Sequence, residues 1–277
     1  HLNTKLENLL LQDNQLSVLD ISENKQLKML VVSSNSLTSL DIQKNTLLES
    51  LDASDNQLST FLSDNNTQLT DLNLEDNQLE FLDVTTVSGL VNLSVFNNQL
   101  KSLDLSQNHL LETLNASSNQ LTSFQINGGG RLVDLVLDDN QLTSLDLQSN
   151  VGLEYLSVHD NFLKELDLSQ NVSLIRLNVS FNQLESLDVR QNTDLESLAI
   201  DDNELTSLDI GSNIHLLSLN ASSNHLTTLD LHQNTELESL FVDDNELTVL
   251  DVGENIQLLS LNASSNQLKK LDVRKNT

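Results

Sequence analysis

Apolar and polar residues alternate along this chain in short runs that return every 21 residues, in the frame LxxLxVxxNxLxxLDVxxNxx, which fits thirteen times without a gap from Leu6 onward. The clearest copies are LESLAIDDNELTSLDIGSNIH, Leu195 to His215, and LESLFVDDNELTVLDVGENIQ, Leu237 to Gln257. In the first half, the apolar fourth and sixth positions flank an outward fifth, as Leu198 and Ile200 flank Ala199. This is the period-two pattern of a short strand. The second half does the same, Leu208 and Ile210 flanking Asp209, so the pattern predicts two short parallel strands per turn, one on each face of a flattened coil. No segment carries a helix period. At about 4.8 Å per turn, such a coil is on the order of 60 Å long, and faces of equal width make it weakly curved. Growth turn by turn needs no domain boundary, so residues 1–277 read as one domain.

An asparagine fills the ninth position of every copy: Asn14, Asn35, Asn56, Asn77, Asn98, Asn119, Asn140, Asn161, Asn182, Asn203, Asn224, Asn245 and Asn266. A period of this size with leucines and a fixed asparagine is the leucine-rich-repeat signature. Because the second half nearly repeats the first, the chain resembles the nested, IRREKO-type leucine-rich repeats of bacteria over essentially its whole length. The resemblance implies a predominantly β solenoid with little or no helix. It also implies a non-catalytic recognition module at a bacterial cell surface or outside the cell, contacting a protein partner in adhesion.

Buried polar groups must find partners, so the ninth-position amides are expected to point inward and bond to backbone groups of adjacent turns. A second row, of aspartates, occupies the fifteenth position: Asp20, Asp41, Asp83, Asp104, Asp146, Asp167, Asp188, Asp209, Asp230, Asp251 and Asp272. Like charges about 4.8 Å apart repel by roughly 1 kcal/mol even in water. Three kinds of relief stand open: donation by backbone N–H or Ser/Thr groups, protonation at raised pKa, or Ca²⁺ bridging along the row. Asn-x-Ser/Thr triplets such as Asn220 to Ser222 are by-products of the frame.

Four breaks in the frame, at Leu62, Val87, Gln125 and Gly129, fall together. The last sits in Gly128 to Gly130, which reads as a relaxed turn rather than a phosphate cradle because no GxxxxGK[ST] context surrounds it. By contrast, Thr193 to Asn234 and Thr235 to Asn276 match at most positions, as after a late duplication of two turns. Both ends fall out of phase with the frame and lack polar capping turns, so a fragment of a longer protein is expected, with unpaired strand edges that favour end-to-end association.

Composition narrows the partners. Lys and Arg total 13 against 41 Asp and Glu, a net charge of −28 that repels phosphate backbones and anionic membranes. Nucleic acid is therefore not expected, and no stretch is long and apolar enough for membrane insertion. With no cysteine there is neither a disulfide nor a thiolate metal site. The six histidines, His1, His109, His159, His215, His225 and His232, scatter over outward positions, and no nucleophile, zinc, EF-hand or dinucleotide motif appears. An enzyme is not expected.

The outward fifth position varies, from Leu10 through Asp52, Asn115 and Ala199 to Asn262, whereas the opposite Asp row is uniform. A varied face suits recognition, and aromatic and Arg residues are the anchors interfaces favour. Phe96, Tyr155, His159, Arg176 and Phe181 are the candidate partner-binding residues, with Phe241 as a further outward ring. Tyr155 and Arg176 share the third position on adjacent turns, within reach of a cation–π contact.

Overall fold

A computed structural model describes residues 3–126 and 130–276. The chain falls into two compact units, His1–Gln141 and Leu142–Thr277. The first carries β1 (Asn8–Leu10), β2 (Met29–Val31), β3 (Ser50–Asp52), β4 (Asp71–Asn73), β5 (Asn92–Ser94), β6 (Thr113–Asn115) and β7 (Asp134–Val136). The second carries β8 (Tyr155–Ser157), β9 (Arg176–Asn178), β10 (Ser197–Ala199), β11 (Ser218–Asn220), β12 (Ser239–Phe241) and β13 (Ser260–Asn262). Within each unit the strands pair parallel in sequence order, and the register is the sequence period itself: Leu30 faces Leu51, and Leu198 faces Leu219. Among the described residues there is no helix.

Each strand is three residues long, its central leucine inward and its flanking side chains on the outer sheet face. In a typical turn of the second unit Leu195, Leu198, Ile200, Leu205, Leu208 and Ile210 are all buried. A fully buried aliphatic side chain contributes roughly 1.5–3 kcal/mol. The core is therefore a stack of nearly identical aliphatic layers, and no single layer dominates it.

The predicted second strand does not form. Among the described residues the only pairing on that side is an isolated parallel bridge between Asp83 and Asp104. The fifteenth-position carboxylate on that side accepts the N–H two residues on, as Asp209 Oδ1 does from Gly211 at 3.1 Å and Asp167 Oδ1 from Ser169 at 2.9 Å, but Asp52 in β3 and Asn73 in β4 make the same bond, so it does not by itself exclude a strand.

Two asparagine ladders hold successive turns together. In the ninth-position ladder, Asn203 Oδ1 accepts the Leu184 N–H at 2.9 Å, and its Nδ2 donates to the carbonyls of Val179, Ile200 and Asp201. Asn56, Asn77, Asn98, Asn119, Asn140, Asn182, Asn224 and Asn245 repeat this arrangement. Asn161 Oδ1 likewise accepts the Leu142 N–H. The inward reading thus holds, with partners in the asparagine's own turn and the turn before it.

The second ladder lies at the nineteenth position. Asn213 is fully buried, and its Nδ2 donates to Val189 O at 3.0 Å and Asn192 O at 2.8 Å. Its Oδ1, like those of Asn45, Asn66, Asn171, Asn192 and Asn234, is buried and accepts no hydrogen bond. Where the frame is broken at Val87, the apolar side chain is fully buried and its carbonyl still accepts from Asn108 Nδ2 at 2.8 Å. Gly128 and Gly129 lie outside the described residues, and Gly130 is exposed.

Between the first strand and the ninth position the chain turns a corner through a left-handed residue. Asp13, Ser34, Asp55, Asp76, Asn97, Ser118, Asp139, Asp160, Phe181, Asp202, Ser223, Asp244 and Ser265 all have φ between 49° and 56°. Short polar side chains tolerate this region because they bond locally, whereas a bulky ring does not. Twelve of these thirteen corners obey that chemistry, and Phe181 does not.

Candidate recognition surface

On the sheet face of the second unit the outward residues are mostly small: Ser197, Ser218, Ser239 and Ser260 at the third position, with Ala199 and Asn220 at the fifth. β8 and β9 are the main exception, beside Phe241 on β12. Their parallel pairing sets Tyr155 beside Arg176, and the guanidinium carbon lies 5.0 Å from the ring centroid. On the corners that follow, His159 and Phe181 meet edge to face, centroids 5.0 Å apart and planes at 74°. Four of the five candidate anchors thus form two stacked pairs on adjacent turns. Tyr155 and Arg176, with Leu177, Asn178, Ser197 and Ala199, line an open depression of about 470 Å³. Phe96 is half-buried in the first unit, on the turn after β5, so it belongs to a different body from the other four.

Phe162 was not anticipated. It is 48% exposed, on the same turn as His159, at the tenth position where other turns carry Gln, Glu, Ser or His. Phe181 is 47% exposed. Two half-exposed rings, the single tyrosine and one of four arginines therefore gather between residues 155 and 181. Phe241 is half-buried at the end of β12.

On the corresponding face of the first unit, β4 to β6 are polar and bonded to one another, whereas Leu10 and Met29 on β1 and β2 are exposed. Asn92 Nδ2 donates to Asp71 Oδ1 at 2.6 Å, and Thr113 Oγ1 donates to Asn92 Oδ1 at 2.7 Å, so three strands are joined by a side-chain chain. Such a chain has already used the groups a partner would bond.

Of the three kinds of relief for the Asp row, donation is the one the geometry supplies. Asp20, Asp41, Asp83, Asp104, Asp146, Asp167, Asp188, Asp209, Asp230, Asp251 and Asp272 each accept the N–H two residues on. The carboxyls of Asp20, Asp83, Asp104, Asp167, Asp230 and Asp272 are held below their ordinary range by these side-chain and backbone hydrogen bonds. Asp188, which also takes the Arg190 guanidinium, lies at about 2. For these seven the protonation alternative is overturned, because repulsion along the row is outweighed by local donors. Among the described residues no group of three or more His, Asp or Glu side chains is arranged to hold a metal ion. Among the described residues no helix is long and apolar enough to cross a membrane.

Comparison with solved structures places the fold. The functional domain of InlJ from Listeria monocytogenes, which includes a cysteine ladder, is 31% identical with a TM-score of 0.82, over 94% of this chain and 64% of that one. A leucine-rich-repeat protein of Leptospira interrogans superposes with a TM-score of 0.90 at 27% identity, covering 98% of this chain and 76% of that one. This chain has the leucine-rich-repeat fold. YopM, a leucine-rich effector of Yersinia pestis, is similar too, at 28% identity and a TM-score of 0.79 over 98% of this chain and 75% of that one. No family model and no curated protein matches. The leucine-rich-repeat chain spans 64% of the InlJ domain and, having no cysteine, builds its ladders from asparagine alone.

Proposed function

We propose that this leucine-rich-repeat chain is a non-catalytic protein-recognition module whose contact surface centres on β8 and β9 of the second unit. One observation carries the reading: rings and arginine concentrate on two adjacent turns of a face lined elsewhere mainly by Ser, Ala and Asn, with Phe241 a separate ring on β12. Tyr, Phe and Arg dominate interface energetics because they bury much area at small entropic cost, and small surrounding residues let a partner seat closely. The resemblance to bacterial leucine-rich-repeat proteins supports adhesion or host contact at the cell surface or beyond it as the setting, with no enzymatic step in this chain. The acidity selects for partners with basic patches.

The test is retention of proteins on the immobilised chain at physiological salt, compared with a Tyr155→Ala/Arg176→Ala variant. A partner lost from the variant, at a cost of about 2 kcal/mol or more in affinity while the unfolding midpoint is kept, supports recognition. Equal retention by both sinks it. That outcome favours the second reading, a spacer presenting another domain, which rests on the uniform, self-satisfied Asp row of the opposite side. Sugar binding ranks below both, since platforms for sugar rings favour Trp and Tyr and the chain has one such residue.

A further inference from the structure

Phe181 is where the repeat contradicts its own chemistry. Its φ of 54° places a bulky side chain in the left-handed region that Asp, Ser or Asn occupies at every other corner. Such strain costs on the order of 1–3 kcal/mol and persists where something else is gained. Burial is not the gain, because the ring is 47% exposed. Backbone hydrogen bonds fix its neighbours: the Asn161 N–H donates to Phe181 O at 3.1 Å, and the Phe181 N–H donates to Asp201 O at 2.9 Å. The corner residues on the turns before and after are Asp160 and Asp202, both exposed. An aromatic ring therefore stands in a column between two carboxylates. His159 meets the ring edge to face, the ring remains 47% exposed, and Arg176 lies over Tyr155.

We propose that Phe181, Asp160 and Asp202 form a docking site for a cationic side chain, the guanidinium or ammonium of an Arg or Lys on the partner. The cation lies on the open face of Phe181, with its charge met by the flanking carboxylates. This rests on the recognition reading and names the chemistry of the partner's anchor. A quadrupole and two carboxylates act on the same charge, which neither the polar corners nor an isolated ring achieves. Relief of repulsion adds to it. Burial and the carboxylates of Asp201, Asp243 and Asp244 hold the Asp202 carboxyl above its ordinary range, so an added positive charge is favoured there.

The experiment measures binding of fluorescein-labelled Gly-Arg, Gly-Lys and Gly-citrulline repeat peptides to the whole chain by fluorescence anisotropy. Phe181→Asn restores the corner chemistry, and it is expected to raise the unfolding midpoint while weakening the Gly-Arg peptide about three- to tenfold. Asp244→Asn, which removes one charge elsewhere in the column, is expected to weaken it less. Ser223→Phe places a ring between Asp202 and Asp244 and is expected to strengthen binding. The citrulline peptide, uncharged but similar in shape, should not bind. Wild-type affinity in Phe181→Asn, or losses in Asp244→Asn as large as in Phe181→Asn, overturns the site and leaves only diffuse acidity. Because Tyr155→Ala/Arg176→Ala leaves this column intact, peptide binding that survives alongside lost protein capture, or the reverse, separates the two readings.

Discussion

At the residue scale, stability rests on two amides per turn that do unequal work. Asn203 satisfies one N–H and three carbonyls, whereas Asn213 satisfies two carbonyls and leaves its own Oδ1 unpaired. Stranding a buried polar group costs about 1–3 kcal/mol. Asn203→Ala is therefore expected to destabilise the chain more than Asn213→Ala, read as the difference in urea midpoints, and equal losses would refute this ranking. Ionisable residues can be ranked by sign. Asp188 is depressed in the folded state, so its contribution is present above its ordinary pKa and lost as pH falls toward about 2. The destabilisation caused by Asp188→Ala should therefore shrink between pH 4 and pH 2, as roughly bounded by those two values. His232 is the opposite case: hydrogen bonding to Asp230 raises its pKa, so its stabilisation is full below the ordinary histidine value and fades as pH rises through the folded one. In an NMR titration of the intact chain its midpoint should lie above that of a free histidine, and a midpoint at or below it would break the assignment.

At the element scale, the turn is a strand, a left-handed corner and an Asx turn. The corner makes the sharpest demand on residue type. Ser118→Val sets a β-branched side chain at φ 52° and is expected to cost about 1–2 kcal/mol, with Ser118→Gly close to neutral. Equal effects of the two would mean that the corner relaxes. The first strand and the ninth-position asparagine were legible in the sequence because hydrophobic period and burial act on the same residues. The second strand was not, since its Leu-Asp-Ile alternation satisfies a strand pattern and nothing in that alternation tells a paired segment from an unpaired one. Tyr155, His159, Arg176 and Phe181 stand at outward positions of the frame, yet the strain at Phe181 has no signature in phenylalanine itself. Its signal lay in the column, where Asp, Ser and Asn stand in every other turn. Phe162 could have been found in the same way, from a column otherwise polar.

At the scale of the whole molecule, charge opposes compaction. With a net charge of −28, the folded chain repels itself, and screening should raise its unfolding midpoint as NaCl is added. Millimolar Ca²⁺ and Mg²⁺ are expected to act alike at matched ionic strength, because the Asp row already accepts backbone donors and, among the described residues, no acidic triad is set for an ion. A rise specific to Ca²⁺ would contradict that. The asparagine ladders carry a further consequence. Each nineteenth-position amide reaches carbonyls 24 and 21 residues back, as Asn234 does to Ile210 and Asn213, and each ninth-position amide reaches one 24 residues back, as Asn203 does to Val179, so a turn brings with it the donors that its predecessor's carbonyls require. Copying errors that add or delete whole turns are then nearly silent for folding, and length becomes a cheap variable under selection. What such an event does change is the distance from either end to the rings at 155–181, so reach can be lengthened or shortened while the grip itself is inherited untouched.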